Sequence, residues 1–316
     1  MQEYKTVDVK IIRNTSLETA KPRAGIKCKL CGKPIMAFKY PDWEGNGVKT
    51  HTPAEPVAYV HKGCIRMRGY GDDMRDFQGE AFPTQAKGKA TRGGWAISLE
   101  LEGNTEYTEE LAAYLGATYG LVATSDCTVG VEWHQLNSWT NLHGKKTALE
   151  GIYDAIDPSG ENCGCHVNIS WTPDNDADPD FSEQAWNIRQ NAESLFTPLH
   201  VFMVRRPDYT KAIFGRNFGS YCYNGVDYSG HCWLSLDSLD SYDAERRRIE
   251  WRICHFQTPA QMFICLAFIK EACEIIRKAT EQQAISYDKA GKQIAKLFER
   301  YGQGKGKAQR PERNNR

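Results

Sequence analysis

Four stretches of the chain alternate apolar and polar residues with a period of two, the pattern of a strand packed on one side only. In WAISLELE, Trp95, Ile97, Leu99 and Leu101 share one face, and Ser98, Glu100 and Glu102 share the other. In VGVEWH, Val129, Val131 and Trp133 oppose Glu132 and His134. In CHVNIS, Cys165, Val167 and Ile169 oppose His166, Asn168 and Ser170. In RIEWRICHF, Ile249, Trp251 and Ile253 oppose Glu250 and Arg252. One greasy and one polar face per strand predicts an antiparallel sheet. Helical patterns lie between the strands. EYTEELAAYLG carries acids in its first turn and Gly116 as its expected stop, and a second helix starts near Ser182. A third opens with Thr258 as cap, Pro259 in the first helical position and Gln261 completing a capping box, and a last helix runs to Tyr301. The fold class is therefore α+β, an antiparallel sheet backed by helices.

The 316 residues suit one large domain with a small appendage. Lys plus Arg and Asp plus Glu are 40 each, so no global charge points to nucleic acid or a membrane. No apolar run is long enough to span a bilayer, and the N-terminal residues lack the apolar stretch of a signal peptide. The expected location is cytoplasmic. Composition divides the chain into residues 1–81, a linker-like FPTQAKGKATRGG over 82–94, a catalytic-type domain over 94–301 and a basic tail over 302–316 expected to be disordered.

The polar faces together offer Glu100, Glu102, Glu132, His166, Glu250 and Arg252. Glu100 and Glu102, two residues apart on one face, are separated by roughly 6.5–7 Å along the strand. Carboxylates that close favour a shared cation. Oxygen-rich ligation with one imidazole suits Mg²⁺ or Mn²⁺, and two such ions clamp phosphate oxygens. The competing interpretation, a solvated charged face, is common for one strand and weakens when four strands carry such residues. In CGCHVNIS (163–170), three readings compete: a cysteine nucleophile, a zinc knuckle, or His166 as a ligand on a strand. A reactive thiol is expected at a helix start beside a base, whereas Cys163 and Cys165 flank a strand.

The order Glu100-x-Glu102, SDCTVGVE (125–132), CGCHV (163–167) and Glu250-x-Arg252 resembles the amidoligase family of the glutamine synthetase-like superfamily over residues 94 to 275. The resemblance implies an ATP-dependent carboxylate-amine ligase that activates a carboxylate as an acyl phosphate for attack by an amine. It assigns Glu100 and Glu102 to two Mg²⁺ ions. Glu132, with Asp126, would serve one ion, and His166 with Glu250 the other. Arg252 would meet the carboxylate or transferred phosphate, and Arg205, Arg206 or Arg216 the nucleotide. On this reading His166 is a metal ligand. Three positions depart from the family pattern: SDCT for Asp-Gly-Ser, Ser98 for Gly, and HCW (231–233) for a basic-aromatic pair. They leave the metal set in place and touch nucleotide and substrate contacts.

Eleven cysteines in a chain without an export signal point to metal binding or burial rather than disulfides. Cys28 and Cys31 form a knuckle-type pair, and His61 with Cys64 forms a matching half, giving a closed tetrahedral set for structural Zn²⁺ in a treble-clef-like module. His51 is a weaker substitute for His61. The acidic run DNDADPD (174–180) lacks the Gly and closing Glu of a calcium loop. The expected partners are small-molecule or peptide amines and carboxylates, with a macromolecule recruited by the zinc module as a further option. Two rivals remain: a guanidino kinase-like phosphoryl transferase on the same sheet, and a non-enzymatic zinc-finger protein that binds nucleic acid or protein.

Overall fold

The computed structural model describes residues 9–12, 21–30, 32, 34–37, 58–67, 95–126, 130–135, 139, 141–142, 144–160, 163–171, 182–218, 223–226, 232–240 and 248–306. In chain order its elements are β1 (Val9–Ile12), β2 (Lys21–Lys27), β3 (Pro34–Ala37), β4 (Ala58–His61), α1 (Lys62–Ile65), β5 (Trp95–Glu102), α2 (Glu109–Tyr119), β6 (Leu121–Asp126), β7 (Gly130–Gln135), α3 (Lys146–Ile156), β8 (Cys165–Trp171), α4 (Ser182–Gln190), α5 (Ala192–Arg205), α6 (Pro207–Phe214), β9 (Tyr223–Val226), β10 (Cys232–Ser235), β11 (Ile249–Cys254), α7 (Pro259–Thr280) and α8 (Tyr287–Gly302). The fold is α+β. The linker-like stretch at 82–94 and the acidic run at 174–180 lie outside the described residues.

The chain forms two compact units, and the division differs from the one composition suggests. The first contains residues 1–84 and 106–137, the second 85–105 and 138–316. Residues 106–137 therefore group with the N-terminal segment instead of with the expected 94–301 domain. Side-chain packing supplies the reason. Gly116 is not a helix stop: α2 continues to Tyr119 and ends on Gly120, whose φ of 71° is left-handed. Gly116 lies where a Cβ would meet Leu30 Cδ1 at 2.8 Å, so the missing side chain lets α2 approach Leu30. The Tyr107 hydroxyl donates to the Ile65 carbonyl at 2.7 Å. Within this unit β6 and β7 form an antiparallel hairpin.

In the second unit, the strands run β5-β8-β11-β10-β9. The first four are antiparallel, and β9 joins β10 in parallel. The register pairs Ile97 with Ile169, Leu99 with Val167, and Trp251 with Val167 from the other side. These apolar residues are all fully buried, as the alternation requires. The Trp251 ring packs against Phe214 of α6 at 6.1 Å and Phe268 of α7 at 6.0 Å between centroids. Phe268 continues to Phe298 and Tyr301 of α8. One aromatic cluster thus fastens three helices to the apolar face and leaves the Glu- and His-bearing face on the opposite side.

The helix beginning at Ser182 is broken twice. Asn191 leaves helical geometry at φ −114°, ψ 19°. Arg206 does so at φ −127°, ψ 67°, because the ring of Pro207 excludes helical backbone at the preceding residue. Pro198 lies inside α5 without an N–H to offer the Ser194 carbonyl, and Gly291 of α8 fits against that carbonyl where any Cβ would overlap it. At the start of α7, Thr258 Oγ1 accepts the Gln261 N–H at 3.1 Å. The reciprocal half of the expected capping box is displaced by one residue: Gln261 Oε1 accepts from the Gln257 N–H at 2.8 Å, and its amide donates to the Lys211 carbonyl of α6 at 2.7 Å.

Gly302 and Gly306, at the start of the expected tail, are packed against aromatic rings. The α8 terminus runs to Gly302, which fits against the Tyr209 ring, and Gly306 packs on the Tyr301 ring. Residues 307–316 lie outside the described residues. Among the described residues no helix is long and apolar enough to cross a membrane.

Candidate metal centre

Cross-strand register assembles the polar cluster. Glu100 of β5 is directly opposite His166 of β8, and Asn168 is opposite Ser98 on one side and Glu250 of β11 on the other. Since directly opposed and diagonal neighbours on one sheet face are within side-chain reach, these groups converge. His166 Nδ1 lies 3.1 Å from Glu100 Oε2 and 3.1 Å from Glu250 Oε1. One ligand atom from each of Glu100, His166 and Glu250 fits within 4.8 Å of the others. Two hard carboxylate oxygens and one imidazole nitrogen suit a divalent cation such as Mg²⁺ or Mn²⁺.

The surroundings orient each ligand. Arg252 Nε donates to Glu250 Oε1 at 2.8 Å, and its Nη2 reaches Oε2 at 3.3 Å. Glu250 is buried, with 4% of its side chain exposed. A carboxylate that buried needs compensating charge, and Arg252 and His166 supply it. Burial raises the Glu250 pKa, but the His166 hydrogen bond and neighbouring positive charges outweigh it and hold the carboxyl below its usual range. For His166, burial opposes the imidazolium, yet hydrogen bonds and charge from Glu100 and Glu250 win and hold its pKa well above the ordinary histidine value. His166 Nδ1 thus lies between the two carboxylates, whose charge favours its protonated form.

Glu102 follows Glu100 by two residues on the same face. Its carboxylate accepts the Gly164 backbone N–H, and its own N–H donates to the Gly164 carbonyl at 3.0 Å. Gly164 presents that amide closely because a side chain there would crowd Glu102. Among the described residues a single three-ligand cluster forms, on Glu100, His166 and Glu250. Glu132 belongs to the other compact unit, where His134 Nε2 lies 2.9 Å from its Oε2. The Asp126 side chain lies outside the described residues, although its backbone pairs with Gly130.

The three candidate nucleotide arginines have different surroundings. Arg206 forms a surface pair with Asp208 at 2.7 Å and stacks 3.4 Å over the Tyr209 ring. Arg205 is exposed at the end of α5. Arg216 Nη2 donates to the Cys163 carbonyl at 2.6 Å, beside His255 Nδ1, which is itself 2.7 Å from that carbonyl. Burial, reinforced by the Arg216 charge, pushes the His255 pKa down and keeps the ring neutral. Arg248 was not singled out by the sequence reading, yet its Nε donates to Asn168 Oδ1 at 2.7 Å, and Asn168 Nδ2 donates to Glu100 Oε1 at 2.8 Å. The signal was present: Arg248, Glu250 and Arg252 continue one period-two row. Cys163 and Cys165 are buried, and burial raises both thiol pKa values, which argues against a nucleophilic thiolate.

In the N-terminal segment β2 and β3 form an antiparallel hairpin with Cys28 at its tip. The Gly32 N–H donates to the Cys28 carbonyl at 3.0 Å, and Gly32 takes a left-handed φ of 68°. Cys28 is buried, as is Cys64 in α1 immediately after β4. Cys31, His51 and the side chain of His61 lie outside the described residues. Neither a family model nor a curated protein matches this sequence, so the interpretation of the site rests on its own geometry.

Proposed function

We propose that the protein is a divalent-cation-dependent phosphoryl-transfer enzyme, and specifically an ATP-dependent carboxylate-amine ligase of the glutamine synthetase-like type. The observation that carries this reading is the convergence of Glu100, His166 and Glu250, with Arg252 locked onto Glu250. Glu100 and Glu250 would hold Mg²⁺ through oxygen and His166 through nitrogen. A bound Mg²⁺ would neutralise charge on the transferred phosphoryl group. Arg252 holds Glu250 in place, and the resemblance gives its guanidinium the further role of meeting a carboxylate or phosphate oxygen, the oriented contact for which that group is suited. The reaction joins an acid and an amine at the expense of ATP, through an acyl phosphate, and releases ADP and phosphate. The reading places the chemistry in the cytoplasm, where ATP is abundant and eleven cysteines stay reduced.

The same reading keeps Cys28, Cys31, His61 and Cys64 as a structural Zn²⁺ set. Its support is the left-handed Gly32 after the cysteine pair and the burial of Cys28 and Cys64. The direct test is to incubate purified protein with ATP, Mg²⁺ and a cell extract and follow nucleotide and new products by mass spectrometry. ADP, phosphate and a new amide are expected. A phosphorylated product would instead identify a kinase. No turnover of ATP with any extract, together with no Mn²⁺ binding, would overturn the proposal.

A further inference from the structure

Glu100 and Glu250 are held by different devices. Glu250 is gripped directly by Arg252 from its own strand. Glu100 is held from neighbouring segments. Its Oε1 accepts Asn168 Nδ2 at 2.8 Å, and the Asn168 Oδ1 in turn accepts Arg248 Nε at 2.7 Å. Arg248 Nη2 lies at 3.5 Å from the same Glu100 oxygen. The other oxygen, Oε2, faces His166. Glu100 and Asn168 come from β5 and β8, Arg248 immediately precedes β11, and the register that opposes Asn168 to both Ser98 and Glu250 puts the amide beside Glu100.

We propose that Asn168 and Arg248 act as a positioning arm that presents one oxygen of Glu100 to the bound cation. This inference rests on the cation reading above and adds two residues to it. The chemistry of the arm admits one orientation. Arg248 has only donors, so it fixes the Asn168 carbonyl toward itself and the amide N–H₂ toward the carboxylate. A flipped amide would set donor against donor and oxygen against oxygen. Asn168 is 3% exposed, so the lost hydrogen bonds would not be replaced by water. With Oε1 committed to the amide, Glu100 offers Oε2 alone to the cluster. Partners of this kind behind a metal ligand typically change cation affinity by about 10–100-fold.

The test is Mn²⁺ titration of the full-length protein without nucleotide, followed by electron paramagnetic resonance. Asn168→Leu keeps the size and removes both hydrogen bonds, and it should weaken Mn²⁺ binding by about tenfold or more. Arg248→Gln, at a partly exposed position, should weaken it less, by about threefold or more, and serves if Asn168→Leu fails to fold. The decisive readout is a double-mutant cycle. If the arm acts through Glu100, Asn168→Leu should cost little once Glu100→Gln is already present, whereas a general structural role would cost the same in both backgrounds. Wild-type Mn²⁺ affinity in both arm variants, with unchanged melting temperatures, would overturn the arm and leave the cation site standing. A wild-type protein that binds no Mn²⁺ would overturn both.

Discussion

Glu250 and Arg252, two residues apart on β11, form a salt bridge at 2.8 Å in which the carboxylate is almost wholly buried and the guanidinium is a quarter exposed. The pair belongs to a single strand, so its geometry is set by the pleat and survives loop movement. His166 first, and the Arg252 charge after it, keep the buried Glu250 ionised on the polar face of the sheet.

Removing that carboxylate charge should abolish the chemistry. Glu250→Gln keeps the size and removes the anion, so ATP turnover should fall below detection and Mn²⁺ affinity should drop at least tenfold. Arg252→Lys keeps the charge and loses the planar fork, and turnover should fall by about 100-fold. Steady-state kinetics beside thermal melts would check both. Wild-type turnover in Glu250→Gln would exclude the centre proposed here.

The cluster predicts opposite pH dependences with and without a cation. The His166 pKa is raised in the folded state, so its stabilisation is complete below the ordinary value of about 6.5 and is lost as pH rises through the folded value. The Glu250 pKa is lowered, so its contribution is present above about 4.3 and is lost as pH falls through the folded value. In chelator, the cluster should stabilise the protein most between about pH 4.5 and 6.5. With Mn²⁺ present, the cation and the His166 proton compete, and affinity should instead improve as pH rises. Denaturant titrations across pH, with His166→Gln as control, separate the two curves.

His255 gives a dependence of the other sign for a histidine. Its pKa is depressed by burial and then by Arg216, so the stability it confers is present above about 6.5 and declines as pH falls from there toward the folded value. Arg216→Met should raise the His255 pKa, as read by NMR of the ring protons. It should also cost about 1–3 kcal/mol, because the Cys163 carbonyl loses a charged donor.

Gly215 and Gly144 both have left-handed backbone, at φ 87° and 67°, but a Cβ at Gly215 would overlap the His255 carbonyl, whereas among the described residues nothing lies within 4 Å of one at Gly144. Gly144→Ala should cost about 1–2 kcal/mol, the left-handed penalty alone. Gly215→Ala should cost distinctly more, about 3 kcal/mol or above, by adding overlap to the same strain. Chemical denaturation of the two variants would show the difference, and equal losses would mean that the 214–216 turn yields easily.

Purified protein should contain one zinc per chain, and Cys28→Ser or Cys64→Ser should lose it. Metal analysis under reducing conditions decides the matter. The second unit contains none of these cysteines, so its aromatic core around Trp251 should keep its near-ultraviolet signal in the variants.

Sequence alone determined the strands of the site and which residues share a face. Period-two alternation is local, and burial of Ile97, Val167 and Trp251 left Glu100, His166 and Glu250 no option but the opposite side. The start of α7 was legible for the same reason, since Thr258 caps from within one turn. Tertiary structure decided what alternation cannot encode. Register set Glu100 opposite His166, and Asn168 between Ser98 and Glu250, while Glu102 faces the Gly164 amide. Gly116 stayed within α2 and packed against Leu30, and Asn191 divided one apparent helix into two. Arg248 acquired a role only when Asn168 came within reach from another strand. Hydrogen bonds between distant residues depend on how strands are offset, and the offset is fixed by packing of the apolar face over its whole length.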